Sequence, residues 1–340
     1  MNAIWTRRKV LQSATALALV PLLPRAARAA LPDLTGATMG TRYRVRIERA
    51  PAGIYLPKLK RAIAGVLETT ERLMSTYRPD SELSRFNASP ETCWQPLSAP
   101  TAHVIKAALR VHRESGGAFD AAAAPLLDYW GFGALPEHHR AATPVPPELL
   151  RRTMEAGIEL DRGRLRKRHK QAALTLNAIA KGDAVDGVAE VLEGARISDY
   201  LIEIGGEIRV HGQGPEGTWR VGIDAPRGGV SCVLGLDRQA VATSGDYVDY
   251  FIEAGKRYCH ILDPRSGRPI DNGLSLVSVV ADTAMEADAW ATALMVMGPR
   301  AGLRYAARRA MAAYFLVPDG DRFVTSATAA FQRLRVDGGA

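Results

Sequence analysis

The chain has 340 residues, 47% hydrophobic and 24% charged, with a formal net charge of +8. That balance suits a globular chain of one large domain or two lobes and excludes a disordered or collagen-like one. Three scattered cysteines (Cys93, Cys232 and Cys259) are too few for a disulfide framework or a zinc site, and no basic stripe with interleaved aromatics points to nucleic acid.

The first residues read as a targeting segment. "TRRKVLQ", Thr6 to Gln12, is a twin-arginine pattern, followed by an apolar run from Val10 to Leu23 and the small-residue stretch "ARAA", Ala27 to Ala30. The run is too short for a permanent bilayer span. The expectation is a twin-arginine signal peptide over 1–29 and a mature domain over 30–340, exported folded to the oxidising periplasm. A chance arginine pair before an ordinary secretory signal is the alternative. Cleavage removes Arg7, Arg8, Lys9, Arg25 and Arg28, which takes the formal charge from +8 to +3.

"GTRYRVRI" alternates Tyr43, Val45 and Ile47 with arginines and reads as a half-buried strand. Ile63, Val66, Leu67, Leu73 and Met74 have helical spacing. A second helix runs from about Pro100 to Gly116, with proline at its start and glycine at its end. Ala134 to Pro147, rich in Pro, Ala and His, reads as a long exposed connection. "RGRLRKRHKQ", Arg162 to Gln171, reads as a solvated hairpin in preference to a polyanion patch. Ala178 to Leu192 is a helix with Val185, Val188, Ala189 and Leu192 inward. The strands "YLIEI", "IRVHG", "WRVGID", "VATSG", "DYFIEA" and "LSLVSVVA" follow.

"TAMEADAWATALMVMG", Thr283 to Gly298, predicts a helix opened by Thr283 and Glu286 at capping-box spacing. Met285, Ala289 and Val296 form one side; Ala287, Trp290 and Leu294 form the other. Neither is a solvated face, yet Asp288 and Thr292 sit one turn apart on the first side. A last helix from about Pro299 to Ala312 and the hairpin "YFLVPDGDRFVTS" close the chain. Strands and helices do not alternate strictly and no repeat is visible. The fold class is α+β: antiparallel sheets with helices on their faces, in one or two lobes.

Chemistry-bearing residues concentrate in glycine-punctuated stretches that read as loops: "TMGT", "MSTYRPDSELSRFN", "GGAFDAAAAPLLDYWGFG", "LNAIAKG" and "CHILDPRSGRPI". None is a Walker loop, a dinucleotide G-x-G-x-x-G or a nucleophile elbow, and "GQGPEG" reads as a hairpin turn. From the residues alone, Asp288 and Thr292 are either cation ligands or a hydrogen-bonded core pair. Asp120 after Gly-Gly-Ala-Phe reads as a helix cap, and Met39 and Phe119 as ordinary core. His260 reads as a histidine hydrogen-bonded in a sheet corner and Lys181 as a surface lysine.

Taken in order, "TMGT", "MSTYRPDSELSRFN", "GGAFD", "WGFG", "AIAKG", "ATSGDY", "HILDPRSGRP" and "MEADAWATALMVMG" resemble the ApbE family of FAD:protein FMN transferases. The resemblance spans the mature chain. It implies an ApbE-like α+β fold, FAD as substrate, a magnesium ion, and transfer of FMN onto a Thr or Ser hydroxyl of a target flavoprotein, with AMP released. The implied metal ligands are Asp288, Thr292 and the Ala180 carbonyl, hard oxygens of the kind magnesium takes. The implied FAD contacts are Met39, Tyr77, Ala118, Phe119, Asp120, Asn177, Asp183 and Leu262, with His260 and Asp288 in catalysis. Two positions depart from the family pattern. Ala291 stands where many relatives carry a second acid, and Asp183 where tyrosine is common. The implied partner is a periplasmic or membrane-bound redox flavoprotein, the membrane being reached only through that target. An FAD pyrophosphatase and a non-catalytic periplasmic flavin-binding assembly factor are the alternatives.

Overall fold

The computed structural model describes residues 31–134 and 144–336; the segment expected to be a signal peptide and most of the Ala134–Pro147 connection lie outside the described residues. At the centre is an eight-stranded sheet. Its strands lie in the order Leu31–Thr38, Thr41–Arg49, Asp199–Ile204, Glu207–His211, Ala240–Gly245, Leu276–Ala281, Ala312–Asp319, Arg322–Ala327. Every neighbouring pair is antiparallel. Alternation in sequence decides which side chain meets which layer. Val277, Val279, Ala313 and Phe315 point to a face covered by helices. Leu276, Val280, Tyr314 and Leu316 point the other way, onto Trp219, Val221, Leu234 and Phe331. Helices Leu56–Met74, Ala99–Ser115, Ala180–Gly194 and Ala284–Met297 make the first layer. A smaller sheet containing Gly217–Asp224 and Val230–Leu236 makes the second.

The helix Ala284–Met297 lies between strands Ala240–Gly245 and Leu276–Ala281 beneath it and helices Ala180–Gly194, Ala99–Ser115 and Pro299–Arg308 around it. That placement explains its apolar residues on every side. Its capping box forms by half. Thr283 Oγ1 accepts from the Glu286 amide at 3.2 Å. The Glu286 carboxylate turns away to pair with Arg110. Asp186, from the neighbouring helix, accepts the Ala284 and Met285 amides at 2.9 Å each, satisfying donors a helix start leaves open and placing a carboxylate at the positive end of the dipole. The two helices can meet this way because of Gly182. A Cβ there would lie 2.3 Å from the Ala284 carbonyl oxygen.

Three expectations change. The final long helix is Pro299–Arg308 and not a helix to Ala312; Ala310 turns to a left-handed φ of 53° and strand Ala312–Asp319 begins. Two stretches read as loops contain helices, Glu82–Ala88 and Ala124–Trp130. The basic run does form a hairpin, Glu159–Asp161 with Arg164–Arg166, but Lys167 beside it is fully buried. Its ammonium donates to the carbonyls of Phe86, Asn87 and Ala172 at 3.3, 3.1 and 2.9 Å. Phe86 and Asn87 belong to the last turn of helix Glu82–Ala88, where a cation meets orphan carbonyls and the negative dipole end. Burial lowers the Lys167 pKa.

Candidate active site

Asp288 is 5% exposed. Its Oδ2 accepts from the Gly182 amide at 3.2 Å. One turn on, Thr292 Oγ1 lies 3.2 Å from Ser244 Oγ on strand Ala240–Gly245. Asp288 and Thr292 bond to Gly182 and Ser244 and, among the described residues, not to each other. Burial pushes the Asp288 pKa up to about 7; Glu207 adds to the rise, while Lys181 and the Gly182 amide oppose it. A buried carboxylate with one amide partner needs a proton or a cation.

The residues preceding Gly182 begin the same helix. Ala180 opens the helix Ala180–Gly194. The Lys181 ammonium lies 2.6 Å from Glu207 Oε1. Glu207 opens strand Glu207–His211 and is 2% exposed; its Oε2 is buried without a hydrogen-bond partner among the described residues. Two buried carboxylates thus share the charge of one ammonium. The Asp288 carboxylate, the Thr292 hydroxyl and the Ala180 carbonyl are all hard oxygens, and the residual negative charge favours a cation among them. This donor set fits magnesium.

His260 is within electrostatic reach of Lys181, which, after burial, helps lower its pKa. Its Nδ1 lies 3.0 Å from the Asp249 carbonyl oxygen. A carbonyl only accepts, so Nδ1 carries the proton and Nε2 is left as the basic nitrogen. Phe132 packs edge-on against the ring at 6.4 Å, at the end of a stack running through Phe251, Tyr258 and Trp130.

The other sequence-derived positions assemble by contacts between motifs. Asn87 and Leu174 exchange two bonds of 2.8 Å, and the Thr175 amide donates to Ala121 at 2.8 Å. Arg265 packs beside Gly117. These contacts draw Ala118, Phe119, Asp120 and Asn177 towards the start of helix Ala180–Gly194, whereas Leu262 packs with Trp130 in a separate cluster. Ala118, Phe119 and Leu262 are buried, whereas Asn177 is exposed. Asp120 is a cap: its Oδ1 accepts from the Ala122 amide at 2.8 Å. Burial raises its pKa against the pull of His112. Asp183 sits in the first turn of helix Ala180–Gly194, its pKa pushed up to about 7 by burial and by Asp186 and Glu190. Met39 and Tyr77 are each tied to the C-terminal end of helix Leu56–Met74. The Met39 amide donates to Glu71 Oε1 at 2.7 Å, with φ at 46°. Tyr77 is 63% exposed, its amide donating to Ser75 Oγ at 3.2 Å.

The ApbE family model matches residues 39–315, which contain every one of these positions. The chain belongs to the ApbE family. It is 37% identical over 316 residues to the FAD:protein FMN transferase of Haemophilus influenzae, covering 89% of this chain and 91% of that protein. Identity to the Vibrio cholerae FAD:protein FMN transferase is 38% over 306 residues, with 88% and 91% covered. Among solved structures, the Vibrio cholerae flavin transferase ApbE shares 36% identity and a TM-score of 0.81, over 90% of this chain and 99% of that one. The apo Pseudomonas stutzeri flavinyl transferase ApbE reaches a TM-score of 0.84 at 36% identity, over 93% and 100%.

For this ApbE chain, sequence reasoning missed three residues at the site. Glu207 follows Gly205-Gly206 and opens strand Glu207–His211, where it shares a face with Arg209 and His211 while Ile208 and Val210 turn into the opposite layer; a polar face on an inner strand of the sheet is its signal. Ser244 is the polar residue of "VATSG" facing the helix. Asp186 is four residues after Gly182, on the same side of its helix, where it meets the next helix's amides.

Proposed function

We propose that this chain transfers the FMN portion of FAD onto a Thr or Ser hydroxyl of a flavoprotein target and releases AMP. One observation carries the reading: in a member of this family, the Asp288 carboxylate is buried against the Gly182 amide, one turn from the Thr292 and Ser244 hydroxyls. Asp288, Thr292 and the Ala180 carbonyl would hold magnesium, which when bound neutralises charge on the diphosphate and the departing AMP. Met39, Tyr77, Ala118, Phe119, Asp120, Asn177, Asp183 and Leu262 bind FAD, the exposed Tyr77 ring offering a stacking surface. His260 is neutral near pH 7, because burial lowers its pKa. Its Nε2 takes the proton of the target hydroxyl as that oxygen attacks the FMN phosphorus. The bond from that phosphorus to the bridging oxygen breaks, and the electron pair leaves on the AMP phosphate. Lys181 faces the anionic phosphates from the helix start.

Twin-arginine export to the periplasm, with a redox flavoprotein there or in the membrane as target, belongs to the same proposal and rests on "TRRKVLQ" and "ARAA". The test is incubation with FAD, magnesium and a candidate target, followed by a denaturing gel. A fluorescent target band is expected. Free FMN without a band makes the protein a pyrophosphatase, and intact FAD overturns the catalytic reading.

A further inference from the structure

Glu207 is a costly residue for its position. It is 2% exposed, one oxygen lies 2.6 Å from the Lys181 ammonium, and the other is buried with no hydrogen-bond partner among the described residues. An ion pair retained only for stability would bury both oxygens in bonds or leave them to water, since an unsatisfied buried acceptor is expensive. The pair also stands at the site itself. Lys181 is adjacent to Gly182, which donates to Asp288, and strand Glu207–His211 packs against both helices, Ala180–Gly194 and Ala284–Met297, that carry these residues. On the helix, the position one turn from Asp288 is Ala291, not an acid. The second carboxylate of this site arrives instead from the sheet.

We infer that Glu207 and Lys181 form a charge-setting pair for the cation site at Asp288: Glu207 strengthens cation binding there and Lys181 restrains it. Neither needs to touch the ion. Glu207 is a positioning residue that acts through Lys181 and Asp288. With Asp288 ionised, the form that takes a cation, the charge of Glu207 makes the cluster net negative and Lys181 keeps that excess to a single charge. The inference rests on the metal reading of Asp288 given above.

Charge-setting and mere structural support separate by sign. A structural pair gives weaker cation binding whichever partner is lost. A charge-setting pair gives opposite changes, because a carboxylate attracts a cation and an ammonium repels it through a low-dielectric interior. The experiment titrates metal-free, FAD-free protein with Mn2+, following free Mn2+ by electron paramagnetic resonance, with circular dichroism as the check on folding. The proteins are wild type, Glu207→Gln, Lys181→Gln and the double variant. Expected are an apparent Kd raised about tenfold or more in Glu207→Gln, lowered in Lys181→Gln, and returned close to wild type in the double variant. Unchanged affinity in Glu207→Gln, or weakening in both single variants, overturns the inference while leaving the metal site standing. Absence of Mn2+ binding by wild type overturns both. Should a single variant not fold, the double variant, which keeps the shapes and removes both charges, decides: near-wild-type affinity supports the pair, and lost affinity refutes it.

Discussion

The Gly182 amide donates to Asp288 Oδ2 at 3.2 Å between two helices whose backbones touch. The bond exists because residue 182 has no side chain. A methyl group there would lie 2.3 Å from the Ala284 carbonyl oxygen and 2.6 Å from the Met285 Cα, both backbone atoms that cannot rotate away. The helices would have to part, and Asp288 would lose its donor.

Gly182→Ala is therefore expected to destabilise the protein by about 1–3 kcal/mol, the usual range for overpacking. FMN transfer per folded molecule should fall as well, because the displaced helix carries Asp288 and Thr292. Urea unfolding and transfer rate, measured on the same preparation, test this. Wild-type stability would show that the helices are not locked at this contact.

Much of the fold was legible because its signals are local. The alternation in "RYRVRI" and "LSLVSVVA" and the Pro and Gly at the ends of the helix Ala99–Ser115 needed no partner to be read. Thr283 was legible as a cap, but the fate of Glu286 was not, since Arg110, 176 residues away in sequence, outcompeted the local amide. Lys167 looked like one of several solvated cations; only the fold brings three carbonyls to it. At the site, Asp288 and Thr292 stood out as polar residues in an apolar helix. Glu207 did not, because its meaning comes from Lys181 on a helix that the sequence places before it and the sheet places beneath it.

Tyr77→Ala is expected to leave stability within about 0.5 kcal/mol of wild type, as for other exposed positions, because the side chain is 63% exposed. FAD affinity should weaken by about 1 kcal/mol through loss of a stacking partner. Fluorescence titration with FAD checks it, and an unchanged Kd would move the flavin away from this loop.

Replacing Arg7 and Arg8 by Lys should leave the protein in the cytoplasm, since the arginine pair is the distinguishing part of "TRRKVLQ". Cell fractionation reads the outcome. Undiminished export of the double variant would assign the segment to the general secretory route.

Asp183 makes a pH-dependent contribution whose sign is fixed. Burial, with Asp186 and Glu190 adding, pushes its folded pKa from 3.8 up to about 7. Between those values the native state holds a proton that the unfolded state has released, so this group's contribution to stability falls as pH rises through the window and is level above it. Asp183→Asn removes the effect. In metal-free, FAD-free protein the variant should match wild type near pH 4. By pH 8 it should be more stable by about 1–2 kcal/mol, after discounting for partial exposure. Asp288 titrates over the same range in both proteins and cancels in the difference. Urea unfolding at pH 5 and pH 8 gives the answer, and a difference that does not change with pH would mean that Asp183 is ionised at little cost in the native state.

Asp288→Asn divides the two roles open to a buried carboxylate. Asn keeps the shape and keeps an oxygen for the Gly182 amide, so the helix contact survives. If Asp288 served the fold alone, the variant would transfer FMN nearly as well as wild type. If it holds a cation, the outcome reverses. The metal-free variant should be as stable as wild type or more so, because a carboxylate pushed up to about 7 by burial is no longer there to be ionised at neutral pH. Transfer should fall by several orders of magnitude, since metal stabilisation of a phosphoryl transition state is worth several kcal/mol. Thr292→Val should behave more mildly: its hydroxyl is a single neutral oxygen that water can replace, and the Ser244 hydroxyl 3.2 Å away remains. The experiment is transfer rate against magnesium concentration for the three proteins, with melting temperature alongside. Higher magnesium should recover much of the Thr292→Val rate and little of the Asp288→Asn rate. Near-wild-type turnover by Asp288→Asn at ordinary magnesium would remove Asp288 from the ligand set and return the site to the non-catalytic reading.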